Sequence, residues 1–566
     1  MRCLVYLLAV LGLAATATAQ TGSTPPPDIL FLVVDDLNDW VGCLGGHPQT
    51  RTPNLDRLAR SGVLFTNAHC AAPSCNPSRT ALFTGRSPAT TGLYTNTQSM
   101  RDALPEAQLL PAVLRTHGYR ALGSGKLLHY VIDAPSWDEY FPSAATESPI
   151  PRTLYPKTRP LSLPRAGAWQ YVETDWGPLD ATDEEYGGDL LVAEWIAARL
   201  RTPHDQATFL AGGLYRPHEP WFVPRRYFEP FPLESIQLPP GYREGDIDDL
   251  PAEGRRRALN RYFPHIQAQG QWRQAVQAYL AAIHYSDAML GRILDALDAS
   301  PRRDSTIVVL CSDHGWHLGE KEHWQKFTAW RVCTRVPLIV RVPAGVRGLP
   351  DGTRPAVCDQ PVDLRSLFPT LLELAGLPPD PMADAPSLVP LLADVDAPWP
   401  HVAVTWLDTP GSFGLSDRGW RYIRYHDGGE ELYDVVADPH EWENLAGRPE
   451  HAARLSALRA KAPTTFAPRA PERTTELVQH AADVALPSSR PEGAPAPLRF
   501  LNGSGQRIRI HWIAPDGERR QRAELEPNAT HDERARKGAV WLVTDTDDRP
   551  LGHFVSTGQP SRALVR

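Results

Sequence analysis

The stretch Asp28-Ile-Leu-Phe-Leu-Val-Val-Asp35-Asp36 is a near-continuous apolar run that ends in two acids. A run of this length without alternation predicts a strand buried on both faces, as in a parallel sheet covered by helices. The acids then fall at or just past its C-terminal end, the edge where open α/β sheets place ligands. Ser305-Thr-Ile-Val-Val-Leu-Cys-Ser312 repeats the pattern and runs into Asp313-His314. Oxygen-rich ligands with one imidazole, drawn from two distant strand ends, suit a hard divalent cation such as Ca2+ or Mg2+.

Outward from this strand, elements alternate. Thr52-Pro begins a helix, a second spans Leu109 to His117 before Gly118, and Arg120 to Lys126 reads as a strand entering a Gly-rich loop. Leu190 to Leu200 is helical, Ala207 to Tyr215 a strand, and Val336 to Val342 another. Gln274 to Leu297 is the longest amphipathic pattern, with Ala275, Ala278, Tyr279, Ala282, Ile283, Met289, Ile293 and Leu297 at helical spacing. Asp363 to Leu374 forms a helix closed by Gly376. This alternation predicts a mostly parallel sheet flanked by helices. Tyr130 to Thr182 lacks a period and reads as an inserted loop walling the pocket. From about residue 400, short strands at His401–Trp406, Arg421–Tyr425 and Glu431–Asp434 predict a small antiparallel sheet, with a closing helix at Ala452 to Lys461. Ala467 to Ala496 reads as a linker. Beyond it, Leu498–Asn502, Arg507–Ile513, Gly538–Thr544 and Gly552–Val555, with a hairpin turn at Asp516-Gly517, predict a β-sandwich.

The 566 residues suggest two to four domains. A net charge of −8 gives no reason to expect nucleic-acid binding. Met1 to Ala19 has the pattern of a cleaved secretory signal: Arg2, an apolar run from Leu4 to Ala15, and Ala17-Thr18-Ala19 before Gln20. No later run is long enough to span a bilayer, so a secreted or periplasmic location is expected. Of 7 cysteines, Cys3 leaves with the signal. Cys43, Cys70, Cys75, Cys311, Cys333 and Cys358 make no disulfide framework, though one or two bridges would be compatible with them.

A lone cysteine is ordinarily a buried structural thiol. Cys75, in Cys75-Asn-Pro-Ser-Arg79, instead lies in a polar, Pro-punctuated turn with a cation four residues on, an environment for a reactive group. Gly125-Lys126-Leu-Leu-His129 places a lysine and a histidine on one face if the segment is a helical turn. Tyr215-Arg-Pro-His218 follows a strand, and Ser312-Asp-His-Gly-Trp-His-Leu-Gly-Glu320 is followed by His323-Trp-Gln-Lys326.

Cys75-x-Pro-Ser-Arg79 with Thr80-x-x-x-Thr84-Gly-Arg86 resembles the signature of the sulfatase family, and the other motifs are similar to that family's in order. Ser312 to Lys326 resembles the iduronate-2-sulfatase and choline-sulfatase branches. The resemblance runs from about Asp28 to about Ala467. It implies an α/β fold, the alkaline-phosphatase-like α/β/α sandwich, with a smaller C-terminal α+β subdomain. It implies that a formylglycine-generating enzyme oxidises Cys75 to formylglycine (3-oxoalanine), whose hydrated aldehyde is the nucleophile. It further implies one Ca2+, favoured over Mg2+, held by Asp35, Asp36, the modified Cys75, Asp313 and His314. Lys126 and Lys326 would hold sulfate, Arg79 would add charge, His129 would contact the hydrated aldehyde, and His218 would protonate the leaving oxygen. Tyr215-Arg-Pro-His218 departs from the family's usual lysine before Pro-His. The expected domains are a signal peptide 1–19, a linker 20–27, a catalytic domain 28–395, its C-terminal subdomain 396–467, a linker 468–496 and a β module 497–566. That last module resembles the von Hippel–Lindau β domain. Trp512 and Trp541 match two of that domain's hydroxyproline-binding positions, whereas Arg522, Ala535 and Ala539 stand at others. A protein or surface contact through the module is expected, without hydroxyproline binding.

The function expected is hydrolysis of an organic sulfate ester, a sulfated saccharide foremost. Two alternatives stand beside it. One is a phosphonate or phosphate monoester hydrolase of the same superfamily. The other is a catalytically silent binding protein in which Cys75 stays a thiol.

Overall fold

The computed structural model describes residues 26–129, 131–142, 154, 174–472 and 474–566. The signal and most of the loop from Tyr130 to Thr182 lie outside them.

Eight strands form the central sheet: β1 (Asp28–Val34), β2 (Val63–Phe65), β3 (Arg120–Gly125), β4 (Glu139–Phe141), β5 (Thr208–Leu214), β6 (Thr306–Ser312), β7 (Leu338–Arg341) and β8 (Ala356–Cys358). Their spatial order is β8-β2-β7-β6-β1-β5-β3-β4. β1 sits between β5 and β6, parallel to both, and every residue of it is buried. The apolar run needs no alternation because both faces are covered. β7 alone runs antiparallel, against β6 and β2. The reason lies in the segment before it. Residues 313 to 337 leave β6 at its C-terminal end and return to the sheet at the same edge, so β7 must run back.

The helices that cover the sheet include α1 (Pro53–Ala59), α2 (Cys75–Thr84), α3 (Leu110–Thr116), α4 (Asp189–Arg201), α5 (Trp272–Asp298) and α6 (Leu367–Leu374). All eight apolar positions expected on α5 are buried. One of them also carries a polar handle: the Tyr279 hydroxyl donates to the Asp36 carbonyl at 2.7 Å and accepts from the Asn38 amide at 3.1 Å. The helix thereby fixes the turn after β1, where Asp36 adopts a φ of 58°.

The second sheet is antiparallel, Ala403–Trp406, Phe413–Ser416, Trp420–Arg424 and Glu430–Asp434, closed by the helix Ala452–Lys461. The C-terminal module is a pair of four-stranded sheets with its own apolar core, including Leu498, Phe500, Ile510, Trp541, Val543 and Phe554. The segment expected as a linker is partly structured. Thr475–Glu476 pairs with Ser561–Val565, and the strand ending at Asn502 begins at Glu492, before the expected boundary at 497. Its Pro and Gly content hid this, because edge-strand pairing leaves no apolar period to read. The strands Arg519–Leu525 and Thr530–Lys537 escaped notice for a related reason, being almost wholly exposed. All six described cysteines are free, so neither of the disulfides allowed for is present among them. Among the described residues no helix is long and apolar enough to cross a membrane.

Candidate active site

The C-terminal ends of β6, β1, β5 and β3 are neighbours, and each delivers chemistry to one edge. Asp35 and Asp36 follow β1, Asp313 and His314 follow β6, Lys126 follows β3, and His218 comes four residues after β5. Cys75 is the first residue of α2 and is buried. Ser78 ties that helix to β6 by donating to the Asp313 carbonyl at 2.6 Å.

One ligand atom from each of Asp35, Asp36, Cys75 and His314 lies within 4.8 Å of the others. His314 Nε2 is 3.2 Å from Cys75 Sγ. Asp36 Oδ2 is buried without a hydrogen-bond partner, and His218 Nε2 stands 3.8 Å from it. An orphaned carboxylate oxygen costs free energy unless something electropositive meets it. The donor set and the orphan therefore fit a hard divalent cation.

Asp313 stands beside this cluster rather than in it. Its Oδ1 accepts from the Asp36 and His314 amides at 3.2 and 3.0 Å, and its Oδ2 accepts from Arg79 Nε at 2.8 Å. Arg79 also bonds Asp35 Oδ1 at 3.0 Å and the Lys126 and Leu127 carbonyls. Its side chain is 0% exposed. The guanidinium thus braces two strand ends and the loop after β3, and every donor nitrogen is engaged within the protein. The sequence suggested a cation facing substrate; the fold makes it a clamp.

Two lysines reach Cys75 from different elements. Lys126 Nζ lies 2.6 Å from Asp35 Oδ2 and 3.9 Å from Cys75 Sγ. Lys326 Nζ lies 2.8 Å from Asp36 Oδ1 and 3.2 Å from Cys75 Sγ. Residues 126–129 form a bend, not the helical turn expected from the sequence. Gly125 has a φ of 74°, and a Cβ there would stand 2.1 Å from the Gly213 carbonyl oxygen, so β3 and β5 approach too closely for a helix to start. His129 is buried at the end of this bend. Two aromatic residues hold the lysines from behind: Lys126 Nζ is 5.0 Å from the Tyr215 ring centre, and Lys326 Nζ is 5.4 Å from that of Trp316. Neither role was readable from sequence, where Trp316 is simply part of a motif. Ser312 also went unnoticed. Its hydroxyl accepts from the Leu37 amide and donates to the His314 carbonyl, joining the two acidic turns.

The electrostatics follow from three carboxylates facing three cations in a site closed to bulk water. Burial would raise the Asp35 carboxyl, but Lys126 and Arg79 hold it well below the usual carboxylate range. Burial lifts Asp36 to about 7 against the pull of Lys326, with Asp35 adding to the rise. Burial alone would raise the Cys75 thiol, and Lys126 with Lys326 bring it below its ordinary value. His218 is held well below the ordinary imidazole value by burial and then by the same two lysines. His314 goes the other way, up to about 9, because Asp313 overrides its burial.

The sulfatase family profile matches residues 27–377 of this chain. The chain belongs to the sulfatase family. A sulfatase of Formosa agariphila is 37% identical over 451 residues, covering 78% of this chain and 87% of the relative. Iduronate 2-sulfatase of Mus musculus is 31% identical over 425 residues, covering 67% and 74%. In fold, the phosphonate monoester hydrolase of Silicibacter pomeroyi superposes with a TM-score of 0.63 at 21% identity, over 77% of this sulfatase and 94% of that chain. The family's members hydrolyse sulfate esters, and this sulfatase presents an α/β sheet edge on which a metal-ligating cluster and two lysines converge at one cysteine.

Proposed function

We propose that this sulfatase desulfates a saccharide, with a formylglycine made from Cys75 and one Ca2+ at Asp35, Asp36, the modified Cys75 and His314, while Asp313 orients two of those ligands through the Asp36 and His314 amides. The observation that carries the reading is the convergence of four donor atoms within 4.8 Å, with both lysines on the Cys75 side chain. When bound, the cation would polarise the sulfate oxygens and the nucleophile's oxygen. The aldehyde hydrate at position 75 would supply the nucleophile that a thiol does not.

The chain's own residues do the rest. Lys126 and Lys326 hold the sulfate group between them and offset its charge, which would otherwise repel a nucleophile. Arg79 keeps Asp35, Asp313 and the Lys126 backbone in register. His218 Nδ1 donates to the Glu219 carbonyl at 2.6 Å, which turns Nε2 toward the site. Nε2 is the atom we assign to protonating the departing alcohol oxygen. Burial depresses the His218 pKa most, and the two lysines that add to it are those an anionic substrate would neutralise, so substrate binding relieves part of the depression. His129 is assigned the proton of the nucleophile's second hydroxyl.

Mass spectrometry of the tryptic peptide containing Cys75, from protein made in its native host, tests the reading. Formylglycine is expected, and an unmodified thiol throughout would overturn it. Activity should vanish in EGTA and return with Ca2+. Phosphate or phosphonate monoester hydrolysis is the second reading, favoured by the likeness in fold to a phosphonate monoester hydrolase. Faster turnover of aryl phosphates than of aryl sulfates would establish it instead. Export is also proposed, with Gln20 as the first residue of the mature protein by N-terminal sequencing. The von Hippel–Lindau-like role of the last module is a proposal of contact only. Trp541 is core, against Phe500 at 5.3 Å, while Trp512 is half-buried beneath Arg520.

A further inference from the structure

The segment that carries Lys326 has an unusual backbone. Lys321, Glu322, Gln325 and Phe327 have φ values of 55°, 51°, 85° and 77°. The left-handed region is disfavoured for side chains with a Cβ, and a bulky residue there is an outlier that the surroundings must enforce. Lys326 and Phe327 show what the twist achieves. Lys326 points inward, 5% exposed, onto Cys75 and Asp36. Phe327, the next residue, points outward and is 43% exposed. Among the described residues no other phenylalanine, tyrosine or tryptophan is as exposed, and both neighbours of Phe327 are buried. Its amide donates to the Pro73 carbonyl at 3.1 Å, so it is anchored to the loop that leads into Cys75.

A phenylalanine left in water would ordinarily be expelled from such a position: folding gains nothing from it, and its backbone is strained. The strain presents an exposed aromatic face one residue from a lysine that reaches Cys75, on a segment bonded to the loop that leads into Cys75. The part of a sulfate ester that must extend outward from Cys75 and the lysines is the alcohol. A pyranose offers a C–H face that packs on an aromatic ring while its hydroxyls stay in water. We propose that Phe327 is a specificity-determining residue, the platform on which the sugar ring of the sulfated saccharide stacks while Lys326 holds its sulfate. This rests on the saccharide reading above and adds the residue that recognises the sugar.

The test uses Ca2+-loaded, formylglycine-bearing enzyme on a panel of sulfated monosaccharides, with 4-nitrocatechol sulfate to verify activity and inorganic sulfate as a probe of the anion site alone. Phe327→Ala should raise KM for the sugar sulfate by about tenfold, matching the loss of one buried aromatic contact. Its kcat and the inhibition constant of inorganic sulfate should stay as in the wild type. Phe327→Trp should keep the wild-type KM. Phe327→Gly should show the same rise in KM with a melting temperature equal to or above wild type, because glycine relieves the left-handed backbone; a purely structural residue would not separate the two readouts. An unchanged KM in the alanine variant overturns the platform and leaves the saccharide reading standing. A rise in the sulfate inhibition constant parallel to KM overturns it too, by showing that Lys326 moved. A wild-type enzyme that cleaves 4-nitrocatechol sulfate and no sugar sulfate ends the saccharide reading, and the platform with it.

Discussion

Arg79 is the residue on which the site's geometry most depends. It is completely buried, and its two carboxylate partners lie 44 and 234 residues away in the chain. Removing one member of a buried ionic cluster leaves the others uncompensated, at a cost of about 3–5 kcal/mol. Arg79→Met is therefore expected to lower the melting temperature strongly as well as abolish turnover. A variant that melts like the wild type but is inactive would return Arg79 to a substrate-facing role. His47 supplies a titration at the same scale. Its Nδ1 accepts from the Gln49 amide and its Nε2 donates to the Gln237 carbonyl, so the folded protein holds the neutral ring, and burial pushes its pKa down to about 4. As pH falls from 6.5 toward 4, the unfolded chain takes up a proton that the folded one refuses, and stability drops across that window. The loss is up to about 3 kcal/mol from this group, and His47→Gln should flatten that part of the pH–stability curve. The acids and the Asp-His pair were legible in sequence because each closes an apolar run. The Arg79 brace was not, since its partners meet it only through the sheet order.

At the scale of elements, β3 and β5 show how backbone contact sets side-chain position. A Cβ on Gly213 would lie 2.0 Å from the Lys126 carbonyl oxygen, and one on Gly125 would meet the Gly213 carbonyl. Gly213→Ala must push the Lys126 bend outward. Overpacking of this kind costs about 1–3 kcal/mol, and the displaced ammonium should reduce kcat more than it changes the melting temperature. An alanine variant with wild-type kcat would show that the bend yields without moving Lys126. The strands themselves were readable from unbroken apolar runs, as was α5 from its period. The direction of β7 was not: its residues suit a buried strand either way, and only the excursion of residues 313–337 decides it. The exposed strands of the last module gave no signal, because an edge strand made almost wholly of exposed charged and polar residues has no alternation to detect.

At the scale of the whole molecule, the first residues past Ala467, read from composition as a linker, bond to the sulfatase unit. Ala467 and Ala470 bond the backbone at Ala89 and Gly92, and Gln98 Nε2 reaches the Ala470 carbonyl at 2.6 Å. The same Gln98 fixes the Tyr94 and Thr95 amides, and Asn76 beside Cys75 donates to the Thr95 and Gln98 carbonyls. The start of the linker thus belongs to the active-site scaffold. A chain ending at Glu472 should turn over small aryl sulfates at the wild-type rate, since the module keeps a separate core. A chain ending at Ala462 should melt earlier and be slower. Equal rates for the two would show that the Gln98 contact carries no weight.

The free cysteines have a practical side. A fold that needs no sulfur cross-link among these residues can assemble in a reducing cytosol as readily as outside the cell. Cys75 itself is buried, out of reach of other thiols. Five of the six described thiols are buried, and burial is what withholds a free thiol from disulfide exchange.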